Sequence, residues 1–175
     1  MRIIICALLM MAFASLEATT ALHEAVLAGD LDAATHILNT GADLKAKDNE
    51  GRTPLQLAVE CRFINLAELF LNRGADVDVT DNSGATLLKF AAEHGLIDFA
   101  ELLLDRGAKV NATTISGTAL HAAAAKGHLG IVKLLVVRGA NAHLTNNLAQ
   151  KPLYYAVKNG HNEIVTFLTP LTNNQ

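Results

Sequence analysis

Seven histidines, a cysteine at position 61 and three closely spaced aspartates are the residues whose types and spacing could do chemistry. His23-Glu24 begins like the helix of a zinc protease, but position 27 is Leu, so the second imidazole ligand is missing. His36, His94 and His143 share no ligand spacing, and no metal is expected. Asp76, Asp78 and Asp81 alternate like a calcium loop, yet such a loop needs Gly at its sixth position, where Asp81 itself stands. Glu60 and Glu93 could be offered as an acid–base pair, but no nucleophile, base and orienting group accompany them, and they read as a solvated acidic strip. Phosphate loops, dinucleotide fingerprints and the Gly-x-Ser-x-Gly turn do not occur, so no cofactor and no enzymatic activity are expected. Cys61 could serve as a redox sensor or intermolecular link; the preferred reading is a tolerated helix residue. Arg73, Arg106 and Arg138 could line an anion-binding ridge, and are read instead as cations near helix C-termini.

Those residues sit in a chain of 175 residues, 51% hydrophobic and 18% charged, enough for one sizeable core. The net charge of -3 lacks the basic footprint of a nucleic-acid binder. Two cysteines exclude a disulfide framework, and 5% aromatics without tryptophan leave little for stacking sugars or bases.

The N-terminal residues read as an address. Met1-Arg2 precedes an apolar run from Ile3 to Ala14, shorter than the ~20 residues of a membrane-spanning helix. Small residues at Ala12 and Ala14 suit signal-peptide cleavage after residue 14, with residue 18 as the alternative end. The mature domain, residues 19–175, would then carry Cys61 as its one thiol and no membrane segment.

A period of 33 organises that domain. Thr20-Ala-Leu-His-Glu-Ala, Thr53-Pro-Leu-Gln-Leu-Ala, Thr86-Leu-Leu-Lys-Phe-Ala, Thr118-Ala-Leu-His-Ala-Ala and Lys151-Pro-Leu-Tyr-Tyr-Ala begin five units, near 20, 53, 86, 118 and 151. One residue is missing between Gly117 and Thr118. Gly-Ala recurs at 41, 74, 107 and 139; a third column holds Gly29, Gly95, Gly127 and Gly160, with Arg62 as the exception. Each Thr can cap a short helix, Pro54 and Pro152 suit its first position, and the third-column Gly can end it. A second helix follows, with a stripe such as Ile131, Val132, Leu134 and Leu135. No unit can bury both faces alone, so stability must come from stacking. Three departures stand out. Arg62 predicts local strain or an altered helix end at its turn, Ala149 in place of a loop glycine predicts a differently shaped loop, and Pro170 is expected to close the last helix.

Gly51-Arg52-Thr53-Pro54-Leu55, Gly127-His128, Ile131-Val132-Lys133-Leu134-Leu135 and Gly74-Ala75-Asp76-Val77-Asp78 closely resemble the ankyrin repeat, from residue 20 to about 169. The resemblance implies an all-α solenoid of about five stacked helix–turn–helix units with hairpin-like loops. It also implies that His23 and His121 hydrogen-bond within their repeat and to the neighbouring loop, and that His128 and His161 belong to the turns. Ankyrin arrays bind proteins through loop tips and the exposed side of the first helices. Carried over, the tips are Lys47, Asn49, Glu50 and Arg52; Thr80, Asn82 and Ser83; Thr113, Ile115 and Ser116; and Thr145, Asn147, Leu148 and Gln150. The groove positions are Glu60, Cys61, Glu93, His94, Lys126 and Lys158, passing from acidic to basic.

The resulting expectation is a non-catalytic, monomeric protein-binding module, exported to the periplasm or secreted, a scaffold or modulator of another protein. Alternatives are a secreted effector acting on a host protein and a redox or enzymatic role through Cys61. Ile115 and Leu148 are the more suggestive of these positions, because apolar side chains on exposed loops often anchor an interface.

Overall fold

The computed structural model describes residues 21–173; the expected signal peptide lies outside them. The described secondary structure is helical, apart from the isolated bridges Thr80–Thr86 and Thr114–Gly117. Among the described residues no helix is long and apolar enough to cross a membrane. The chain divides after Asp76 into two compact units.

The first unit holds α1 (residues 21–28), α2 (Leu31–Asn39), α3 (Pro54–Glu60) and α4 (Ile64–Asn72). The second holds α5 (Leu87–Glu93), α6 (Ile97–Asp105), α7 (Ala119–Lys126), α8 (Leu129–Val137), α9 (Pro152–Lys158) and α10 (Asn162–Asn173). Helices this short are marginal in isolation, so packing must hold them. In the first unit α4 packs on both α2 and α3, around Leu22, Leu55, Leu66 and Phe70. In the second, α5 packs on α7 and α7 on α9, while α6 packs on α8 and α8 on α10. Ala91, Ala122 and Ala156, all buried, permit the close approach of α5, α7 and α9.

The repeated residues do local work that the period predicts. Thr53 and Thr86 cap α3 and α5 by accepting the Gln56 and Lys89 N–H groups. Gly29, Gly95, Gly127 and Gly160 all have positive φ. A Cβ on Gly95 would come within 2.9 Å of His128, and one on Gly127 within 2.7 Å of His161. The glycine thus serves two ends, a left-handed turn and room for the next repeat's imidazole. That imidazole reaches back: His128 Nε2–H donates to the Glu93 carbonyl (3.2 Å) and His161 Nε2–H to the Ala125 carbonyl (3.1 Å). Arg62 holds the same left-handed turn at φ 62°, the strain its side chain predicts.

Two expectations need correction. Ala149 does not reshape its loop: it adopts φ 56° and donates to the Asn146 carbonyl at 3.0 Å, as Gly51 and Gly84 donate to Asp48 and Asp81. The loop's other hydrogen bonds hold the alanine in a conformation its Cβ disfavours. Nor does Pro170 close α10, which continues through it to Asn173. Proline removes one backbone donor, the N–H that would bond the Thr166 carbonyl, and the Thr166, Thr169 and Thr172 hydroxyls add side-chain bonds to carbonyls one turn back along the same helix.

The arginine column ends the second helices. Arg73 donates to Asn39 (3.1 Å), and Arg138 pairs with Asp105 (2.7 Å) and Glu101 (3.7 Å), so each ties its repeat to the one before. Their anion-ridge alternative is not needed to explain them.

Candidate interaction surface

Each loop is built on a side-chain knot five residues before the capping position. Asp48 Oδ1 accepts the Glu50 and Arg52 N–H groups, both at 2.9 Å. Asp81 Oδ1 accepts those of Ser83 (2.8 Å) and Ala85 (2.9 Å), and Asn146 Oδ1 those of Leu148 (2.9 Å) and Gln150 (3.1 Å). In the loop that lacks one residue, Thr114 takes this place, its hydroxyl donating to the Gly117 carbonyl at 2.7 Å. Burial alone would raise the Asp48 and Asp81 carboxyls. The donors around them outweigh it, Arg52 for Asp48 and Ser83 with Ala85 for Asp81, and hold both below the usual carboxylate range. Rigid loops present their tips at low entropic cost to an incoming partner.

In the first unit the tip residues Lys47, Asn49 and Glu50 are exposed, whereas Arg52 folds back over its own loop. Its guanidinium pairs with Asp48 (2.8 Å), Glu50 (2.9 Å) and Glu60 (3.1 Å), so the loop set and the groove set meet here. The hydrogen bond to Asp48 raises the Arg52 pKa beyond its ordinary value. Cys61 is half-buried at the C-cap of α3. Groups of three or more His, Cys, Asp or Glu that could hold a metal are absent among the described residues. Asp78 and Asp81, of the alternating acidic run, instead hold Lys109 and their own loop.

In the second unit Thr80, Asn82, Ser83, Thr113, Ser116, Thr145 and Asn147 are exposed, with Gln150 half-buried. Ile115 and Leu148 are 75% and 66% exposed. Their loops touch: Asn147 N–H donates to the Ile115 carbonyl at 3.4 Å. Along the first helices, Glu93 pairs with Lys126 at 3.3 Å, which converts the expected acidic-to-basic step into a neutral couple. His94 stacks on Phe90 at 4.1 Å, and Lys158 lies over the Tyr154 ring at 6.0 Å.

Two imidazoles in the first-helix column reach forward to the next loop. His23 Nε2–H donates to the Arg52 carbonyl at 3.1 Å, and His121 Nε2–H to the Gln150 carbonyl at 3.0 Å. His121 Nδ1 in turn accepts the Thr118 N–H at 3.1 Å, which fixes the neutral tautomer with its proton on Nε2. Burial lowers the His121 pKa, reinforced by the charge of Lys89 and opposed by the Gln150 bond.

Lys89 is the residue that sequence reasoning passed over. It occupies the position held elsewhere by His23, Gln56 and His121, and it is 8% exposed. Its Nζ donates to Thr114 Oγ1 at 2.8 Å and to Ser116 Oγ. Burial depresses its pKa, while Glu93 and Asp81 act the other way. The available signal was a lysine in a column otherwise held by histidine, glutamine and tyrosine.

A family model described as ankyrin repeats (3 copies) matches residues 22–114 and 112–174. A protein of Oryza sativa subsp. japonica named as a probable E3 ubiquitin-protein ligase is 48% identical over 48 residues, which make up 27% of this chain and 9% of that relative.

Proposed function

The chain belongs to the ankyrin-repeat family, and from that premise we propose that it is a non-catalytic binding module for another protein, a scaffold or modulator rather than an enzyme. The observation that carries this reading is the pair of exposed apolar tips, Ile115 and Leu148, on knotted loops bonded to each other through Asn147. An anchor of this kind loses little freedom on binding, because the loop is already ordered. We place the protein outside the cytoplasm, periplasmic or secreted, on the strength of the Met1–Ala14 pattern. Release as an effector toward a host protein is the variant reading of the same export. The ligase named in the rice relative is not carried over, since 9% of that protein is matched. Nor does Cys61 favour a redox role, as its one distinction is a half-buried helix end. Should that role exist, Cys61→Ser would abolish activity and leave the fold intact.

A crosslinking pull-down from extract of the exported compartment tests the proposal, with Ile115→Asp/Leu148→Asp as the comparison. A partner captured by the native chain and lost by the double variant supports it. Equal capture by both retains the module and removes the loop-tip anchor; failure of the native chain to capture any partner favours the effector variant.

A further inference from the structure

Lys89 has a charge that the repeat does not use. Sister positions keep the fold with His23, Gln56 and His121, none of them a lysine or arginine, so the repeat does not require a permanent cation there. Its two bonds go to the neutral hydroxyls of Thr114 and Ser116. A lysine carries three donors, so those bonds leave one to spare. The carboxylates that act on its charge, Glu93 and Asp81, take their hydrogen bonds from other groups. Asp81 accepts from Ser83 and Ala85, and Glu93 pairs with Lys126. His121, across on α7, accepts the Thr118 N–H at Nδ1 and in that neutral tautomer brings no charge to the cleft.

Lys89, Glu93, Ser116, His121, Lys126 and Tyr155 line a cleft of about 180 Å³ that opens to solvent. That is below the ~300 Å³ at which sites for whole small molecules begin, and is suited to the end of one side chain. Within it Glu93 pairs with Lys126, so Lys89, though Glu93 and Asp81 act on its charge from a distance, bonds two hydroxyls and no carboxylate.

We propose that this cleft receives a carboxylate of the partner protein, an aspartate or glutamate side chain seated against Lys89 with Lys126 at the rim. The proposal rests on the reading of the chain as a protein-binding module, and it adds the chemistry that the partner must offer. A carboxylate accepts the third Lys89 proton in a charge-assisted bond, stronger than the hydroxyl contacts already present. A phosphate would bring a second negative charge up to Glu93, which disfavours it.

The test is an NMR titration of the ¹⁵N-labelled full chain with three blocked tripeptides, acetyl-Gly-X-Gly-amide, where X is glutamate, glutamine or phosphoserine. The glutamate peptide is expected to shift the amides of Ser116, Ala125 and Lys126 saturably at millimolar concentration. Binding of the glutamine peptide should be weaker by about tenfold or more. Lys89→Met should abolish the glutamate response, and Lys133→Met, at an exposed position of α8, should retain it. Lys89→Gln, which installs the residue of the second repeat, repeats the measurement should the methionine variant fail to fold. Equal response to glutamate and glutamine, preference for phosphoserine, or a response that survives both Lys89 variants would overturn the proposal. So would the absence of any saturable shift. A pull-down partner retained by Lys89→Met overturns the carboxylate alone and leaves the binding module standing, which separates the two failures.

Discussion

Removing the His121 imidazole is expected to cost more than its size suggests. The side chain is 2% exposed and, besides a contact with the Thr118 hydroxyl, closes two bonds to the backbone: Thr118 N–H to Nδ1 at 3.1 Å, and Nε2–H to the Gln150 carbonyl at 3.0 Å. In His121→Ala both backbone groups lose their partner, at roughly 1–3 kcal/mol each when dry. The adjoining cleft admits water, so the lower half of that range applies, and the sum is roughly 2–4 kcal/mol. At about 2–4 °C per kcal/mol for a chain of this size, Tm should fall by roughly 5–15 °C. Gln56 shows what a partial remedy does: its Oε1 accepts the Thr53 N–H at 2.9 Å. His121→Gln should therefore recover about half of the loss, one bond of the two. The pH dependence adds a second readout. The folded-state pKa of His121 is lowered, so its stabilisation is complete above the unfolded value, about 6.5. It declines as pH falls from there toward the folded value, because the unfolded chain takes up the proton first. Urea melts of the three proteins between pH 8 and 5 decide the matter. A His121→Ala loss under ~1 kcal/mol, or a glutamine variant no better than alanine, would refute the reasoning.

The left-handed turns predict opposite responses to opposite substitutions. Arg62→Gly should gain about 0.5–1 kcal/mol by relieving a disfavoured φ, whereas Gly127→Ala should destabilise, since its Cβ lands 2.7 Å from His161 at φ 81°; chemical denaturation of both checks the signs. Lys89, with a folded pKa held down mainly by burial, makes stability rise with pH between its folded value and the ordinary lysine value, where the unfolded chain binds more protons. Lys89→Met should thus raise the urea midpoint at pH 7 and flatten the alkaline rise; a lower midpoint would contradict this. Processing is checked by N-terminal sequencing of the exported protein, expected to begin at Ser15, or at Thr19 for the alternative cut; an intact Met1 would remove the signal peptide from the account.

Much of the fold was legible because each repeated residue has a local job that its type alone performs. Thr53 caps, Gly127 takes a left-handed turn, and Leu135 is wholly buried on its helix face. The failures arose where neighbours decide. Ala149 keeps a glycine's φ because the Asn146 knot closes around it, and Pro170 stays inside α10 where proline costs one backbone donor and threonine hydroxyls brace the same turns. Asp48, Asp81 and Asn146 were in phase with the period, yet their role as loop knots depends on backbone N–H directions that spacing does not reveal. The candidate surface was less legible. Exposure of Ile115 and Leu148 followed from their place at the tips, but the Asn147 link between their loops did not. Lys89 was hidden for a related reason: its contacts come from Thr114 and Ser116, one repeat away.

The central claim is that a protein partner is held at the Ile115 and Leu148 tips, and site-specific photocrosslinking in the native cell tests it most directly. A benzophenone amino acid would be placed in turn at 115, at 148 and at the exposed Lys133 of α8. One shared adduct is expected from positions 115 and 148 and none from 133. An adduct from 133 alone, or no adduct from either tip, would contradict it.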